Sequence, residues 1–336
     1  MSKRWNKRPS NSNWGDFGDN DQLGRLNFIN EEKVLQGVQE VKIGKTFCLS
    51  LPLDYPGGTV LNAVRQPPIL KPVIRNNVPY FNYKWSQLNI ENKDIGSDDV
   101  VILSTQYSTQ WDSLAHRGKE FDINDDGILK PVYYNGFTAE KDVVLRENET
   151  TFANALGIEN MAEHGVQGRG VLVDLHTHCG DFPRKEVGFE LLMQLMKEQN
   201  VEVEKGDILC LWTGLDQLIM VGKGNPDPSI KQACAVLDGS DKELQQWIID
   251  SELAAIASDN LAVEAVGKPV NNCCNSNLPI HDLCLFRLGV HLGELWYLAD
   301  LANWLKINKR NRFFLTAPPL RLTGAVGSPV TPIATV

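Results

Sequence analysis

Two short apolar runs constrain the fold of this chain more than any other feature. Residues 170–175 (GVLVDL) and 207–212 (DILCLW) are bounded by Gly or Asp, and each is too short for a helix. They read as strands buried on both faces. Between them, residues 187–199 place Phe189, Leu191, Leu192, Leu195 and Met196 at helical spacing. Strands alternating with helices give an α/β protein. With no internal repeat and no linker long enough to divide the chain, residues 14–336 are expected to form a single compact domain. Residues 1–13, polar and rich in Asn, Lys, Arg and Ser, are expected to be flexible or draped over a neighbour.

The remaining elements follow from local signals. Asn30 before Glu31 and Glu32 caps a short helix running to Val41. Residues 46–53 read as a strand ending at the Tyr55-Pro56-Gly57-Gly58 turn, and residues 100–107 (VVILSTQY) as a second β-rich run. Residues 241–258 have the pattern of a helix capped by Ser240 or Asp241. Residues 281–306 read as a long helical stretch broken at Gly289 and Gly293, and residues 313–336 as strand plus loop.

Charge and composition exclude some functions. A formal net charge of −9, with one short basic run at residues 306–312 (KINKRNR), argues against nucleic acid. No run of about 18 apolar residues suggests a membrane span, and the basic start of the chain lacks the apolar stretch of a secretory signal. The seven cysteines show no C-x-x-C spacing, and adjacent Cys273 and Cys274 would form only a strained local disulfide. Reduced thiols in a cytoplasmic enzyme are the expectation.

Function is concentrated in residues 106–116 (QYSTQWDSLAH), where Gln106, Gln110, Asp112 and His116 recur at every second or fourth place. On a strand running into a turn, the first three share a face and His116 follows at the bend. Such convergence of oxygen and nitrogen donors suggests a polar pocket. Trp111 is a candidate wall for an aromatic or flat substrate, and Tyr80, Phe81, Tyr83 and Trp85 are weaker ones. His176 and His178 follow a buried strand and are read as strand-end or pocket-wall residues, His164 and His291 as bystanders. Residues 122–127 (DINDDG) open like a calcium loop, but Tyr133 stands where the bidentate Glu is required, so a tight acidic turn is expected.

The spacing of residues 106–116 resembles the H-x-G-T-H-x-D-x-P-x-H signature of the cyclase family, which includes bacterial kynurenine formamidases and isatin hydrolases. Thr109, Asp112 and His116 match. Gln106 and Gln110 replace the two His, Ser108 the Gly and Leu114 the Pro. The Q-x-S-T-Q-W-D core is similar to that of a branch of the family. Further likenesses follow in order: Trp14-Gly15-Asp16, Gly168-Arg169-Gly170, Lys205-Gly206-Asp207 with Thr213-Gly214, Ser258-Asp259-Asn260 with Glu264, and His281 with Glu294. The resemblance implies a mixed, twisted β-structure flanked by helices and a homodimer or homotetramer. It implies metal ligation at the positions of Gln106, Gln110 and Asp112, a second ion held by Asp112, His281 and Glu294, and proton transfer by His116.

Amide oxygens are weaker, harder donors than imidazole, so the two Gln should disfavour zinc. Manganese, zinc, magnesium or calcium bound by Asp112, His281, Glu294, Gln106 and Gln110 is one expectation. A metal-free pocket in which Gln106 and Gln110 bind substrate is the other. The function expected is hydrolysis or cyclisation at a C–N or ester bond of a small amide, formamide or lactone, with His116 and Asp112 catalytic. The alternatives are a metal-independent cyclase, dehydratase or isomerase, and a non-catalytic small-molecule binder on the same fold.

Overall fold

The two apolar runs lie side by side at the centre of a nine-stranded mixed sheet in the computed structural model, which describes residues 3–267 and 276–336. In chain order its strands are β1 (Thr46–Cys48), β2 (Gln110–Asp112), β3 (Gln167–Asp174), β4 (Ile208–Trp212), β5 (Ala255–Ser258), β6 (His291–Glu294), β7 (Arg312–Thr316), β8 (Gly327–Pro329) and β9 (Ile333–Thr335). Their spatial order is β1-β9-β7-β3-β4-β5-β6-β2-β8. The block β3-β4-β5-β6 is parallel and every other pairing is antiparallel. All five residues of β4 are buried, as their unbroken hydrophobicity requires.

Helices cover this curled sheet: α1 (Glu31–Val38), α2 (Phe189–Glu198), α3 (Leu215–Gly222), α4 (Lys242–Asp250) and α5 (Ala299–Ile307). Asn30 caps α1 by accepting from the Lys33 amide, and Asp241 caps α4 by accepting from Glu243 and Leu244. No helix among the described residues is long and apolar enough to cross a membrane. Five cysteines, Cys48, Cys179, Cys210, Cys234 and Cys284, are free thiols, while Cys273 and Cys274 lie outside the described residues.

The helix expected over residues 241–258 stops at Asp250, and Ala255–Ser258 is instead β5, a fully buried strand next to β4. Its alanines favour a helix locally, but burial between β4 and β6 decides the matter. The helical reading of residues 281–306 is likewise corrected. A short helix at Pro279–His281 runs into a π-helix at Asp282–Leu288, Gly289 closes it at φ 68°, and β6 follows before α5 begins. The run at 100–107 gives a strand only at Asp99–Ile102. It pairs with Ile69–Pro72 in an arm outside the main sheet. Tyr80, Tyr83 and Trp85 pack on one another in that arm, with Arg75 over the Trp85 ring.

From residue 3 the leading segment makes contacts within its own chain. Trp5 is buried edge-on against Trp14, and the Asn6 amide donates to Ile123 O. Lys7 reaches Asp125 in the acidic turn, whose amides at Asp126 and Gly127 donate to the Asp122 carboxylate.

Candidate active site

Strand β2 positions the site. Gln110 and Asp112 share one face of it, and Trp111 points to the other. β2 lies between β6 and β8, so Gln110 sits opposite Glu294 and Asp112 opposite Leu292 and Gly327. Thr109 pins the entry to β2: its hydroxyl donates to Leu295 O and accepts from the Leu51 amide. Gly293 permits the close approach of β6, since a Cβ there would lie 3.0 Å from Trp111 Cζ3 and 2.7 Å from Trp296 Nε1. Gly289 takes no part in this contact and packs against Gly24 and Tyr134.

Side chains far apart in sequence meet on this face. Asp112, His281 and Glu294, all buried, each offer one ligand atom within 4.8 Å of the others. His281 Nε2 lies 3.4 Å from Glu294 Oε1 and 4.0 Å from Asp112 Oδ2. His116 Nε2 lies 3.7 Å from the same Asp112 oxygen. Gln110 Nε2 donates to Glu294 Oε2 at 2.7 Å, a cross-strand pair fixed by register. Gln106 is in a turn before the strand. Its Nε2 donates to Asp112 Oδ1 at 2.8 Å and faces His116 Nδ1 at 2.7 Å. Each catalytic or metal-ligating candidate therefore lies in one cluster. Trp111 does not: it is fully buried behind β2, edge-on to Trp296, with its indole N–H on Ala317 O.

Two residues enter the site that local sequence signals did not assign to it. Glu264 accepts from the Ile280 and His281 amides and pairs with His281 Nδ1, each at 2.9 Å. A carboxylate on Nδ1 fixes the hydrogen there and leaves Nε2 as the ligand or base nitrogen. Arg65 donates from Nη1 to Gln106 O at 2.8 Å and lies 3.7 Å from Glu294 Oε2. Glu264 carried a family likeness but no role, and Arg65 carried no signal at all.

Electrostatics divide the two imidazoles. Burial would lower the His281 pKa, but hydrogen bonds and charge from Glu264 and Glu294 outweigh it and raise it to about 9. Burial pushes the Glu294 carboxyl up, and the Asp112 charge pushes it the same way. Burial lowers the His116 pKa against the pull of Asp112, so His116 is neutral at neutral pH. Beside it opens a cavity of about 360 Å³ lined by Arg117, Lys119, Asn277 and Phe286. His178 walls a separate cleft with Lys306, and His176 pairs with Asp181.

The donor set fits a divalent cation. Asp112 Oδ2 and Gln110 Oε1 are buried without a hydrogen-bond partner, and both belong to side chains of this cluster. Such orphaned oxygens are costly unless something positive meets them. One imidazole and two carboxylates, with an amide oxygen available, suit a hard or borderline ion such as manganese or magnesium. Gln106 Nε2 is engaged by Asp112 and His116.

The aspartates of two other shared motifs, Asp259 and Asp207, are bonded into the fold. Asp259 accepts from the Thr213 and Gly214 amides, and Asp216 accepts from Leu298 and Ala299 at the start of α5. At the opposite end of β4, Asp207 is buried against Arg169 and Lys33.

Comparison with known proteins identifies the family and the fold. Residues 49–265, more than half of the chain, match the family model described as "Putative cyclase". No curated protein matches the sequence. A crystal structure of a novel cyclase is 30% identical, with a TM-score of 0.75 and 97% of each chain covered. An isatin hydrolase bound to the product analogue thioisatinate shares the fold at 13% identity and a TM-score of 0.54, covering 91% of this chain and 99% of that one. A predicted metal-dependent hydrolase from Bacillus stearothermophilus does so at 14% and 0.50, covering 87% and 98%. The chain therefore belongs to the cyclase family.

Proposed function

We propose that this protein is a hydrolase that adds water to the carbonyl of a small amide, formamide or lactone and breaks its C–N or ester bond. The observation that carries this reading is the convergence of Asp112, His281 and Glu294 beside a neutral His116. Asp112, His281 and Glu294, with Gln110 Oε1, would hold a divalent cation, which supplies a more acidic bound water and a polarised carbonyl.

The side chains account for the rest of the chemistry. Glu264 holds His281 so that Nε2 faces Glu294 and Asp112. His116 moves the proton through Nε2, taking it from the attacking water and delivering it to the leaving nitrogen or oxygen. Asp112 Oδ2, 3.7 Å away, stabilises the imidazolium in between. Gln106 steadies the ring; for Nε2 to take a proton, the amide turns its oxygen to Nδ1–H and gives up its bond to Asp112.

A metal-independent enzyme on the same site is the second reading. It is favoured by the engagement of both Gln amides in hydrogen bonds to the acids. Assays on aryl formamides, aryl esters and lactones, with and without chelator, separate the two. Chelator-sensitive turnover restored by manganese supports the first reading, and turnover indifferent to both supports the second. No turnover of any of these substrates would overturn hydrolysis.

A further inference from the structure

Arg65 is the cation at the boundary between the buried acids and the outside. Its side chain is 18% exposed, whereas that of Glu294 beside it is 3% exposed. The loop that carries it is fixed: Gln66 N donates to Ser104 Oγ, closing the base of the arm, and Arg65 Nη1 is anchored on Gln106 O. Yet the guanidinium is used on one nitrogen alone. Among the described residues, Nε and Nη2 carry no hydrogen bond, and Nη1 lies 3.7 Å from Glu294 Oε2, beyond hydrogen-bond distance. A guanidinium placed only to neutralise Glu294 would pair with it through two parallel bonds. Its charge also reaches His116, whose pKa it lowers. Arg65 thus stands beside Gln106 and Glu294 with the rest of its fork unused.

We infer that Arg65 binds the negatively charged oxygen formed on the substrate carbonyl and retained in the product carboxylate. The inference rests on the hydrolytic reading above. In that reaction the water oxygen bonds to the carbonyl carbon and the carbonyl π pair moves onto its oxygen. The C–N or C–O bond then breaks, with its pair leaving on the nitrogen or oxygen that receives the proton. The acid product loses its own proton to solvent. The carbonyl oxygen is negative in the addition intermediate and again in the carboxylate, and a planar fork of N–H donors matches both.

Benzoate and its neutral isostere benzamide, titrated calorimetrically into chelator-treated protein, test this without a known substrate. Chelation removes any bound cation as the source of anion affinity. Wild-type protein should bind benzoate at least about tenfold more tightly than benzamide, and Arg65→Met should abolish the difference. Arg65→Lys should keep part of it, because the ammonium has charge but no fork. Circular dichroism verifies that each variant is folded. If Arg65→Met does not fold, the wild-type preference and the Arg65→Lys value decide. No wild-type preference for benzoate, or an undiminished one in a folded variant, overturns the inference. Arg65-dependent benzoate binding in a protein that hydrolyses nothing would leave the anion site standing and remove the hydrolase reading. Turnover unaffected in Arg65→Met, with no benzoate preference, would do the reverse.

Discussion

Replacing Glu264 by Gln separates a positioned His281 from one that merely lies nearby. Glu264 is 1% exposed and spends both oxygens on N–H donors: Oε1 takes His281 N and Nδ1, and Oε2 takes Ile280 N. A Gln amide of the same shape can offer oxygen to one side only, so its NH₂ must face an N–H donor on the other. The loss is at least one buried hydrogen bond to a charged group, about 1.5–3 kcal/mol. The attraction between carboxylate and imidazolium goes with it, so a total of about 2–4 kcal/mol is expected in urea unfolding. The His281 pKa, now about 9, should fall towards 6.5 because Glu264 is the first of the groups raising it. Nitrogen NMR of the imidazole reads this directly, and a folded Glu264→Gln protein with an unchanged His281 pKa and unchanged stability would refute the argument.

Three other expectations follow from the same geometry. His116→Ala should lower kcat by about 10²–10⁴ while leaving cation binding intact, since His116 moves the proton and is not a ligand; equal rates would remove it from the mechanism. Gly293→Ala puts a Cβ against Trp111, Trp296 and Ala257 and should cost about 1–3 kcal/mol of stability by thermal or urea unfolding; a neutral result would mean that β6 moves away from β2 at no cost. For metal-free protein, a His281 pKa raised to about 9 adds stability that is complete below 6.5 and is lost as pH rises through 9. Unfolding free energy should therefore drop by up to about 3 kcal/mol across that window, a drop that Glu264→Gln should largely abolish.

Much of the site was legible because it is local. Period-2 alternation puts Gln110 and Asp112 on one face of β2, and the same rule puts Trp111 on the other, so its burial against Trp296 could have been read from the strand. Gln106 was harder, since the backbone turns before β2 and only the hydrogen bond to Asp112 brings its side chain back. Strand β5 was hidden by alanines that suit a helix, and β6 by a leucine-rich context continuous with α5. Their strand character comes from the neighbours they pair with. Glu264 and Arg65 lie beyond any local pattern. One is aimed at His281 by the short helix that starts at Pro279, the other at Glu294 by the base of the arm. The family likeness brought Asp112, His281 and Glu294 together on paper, and the sheet order β6-β2 explains how two of the three meet.

Whether Asp112, His281 and Glu294 hold a cation is decided by a calorimetric titration of chelator-treated protein with manganese. About one ion should bind per chain, with binding lost in Asp112→Asn and in Glu294→Gln and weakened about 10–100-fold in Glu264→Gln. Absence of saturable binding in the wild-type protein, or binding indifferent to Asp112→Asn and Glu294→Gln, would contradict the cation site.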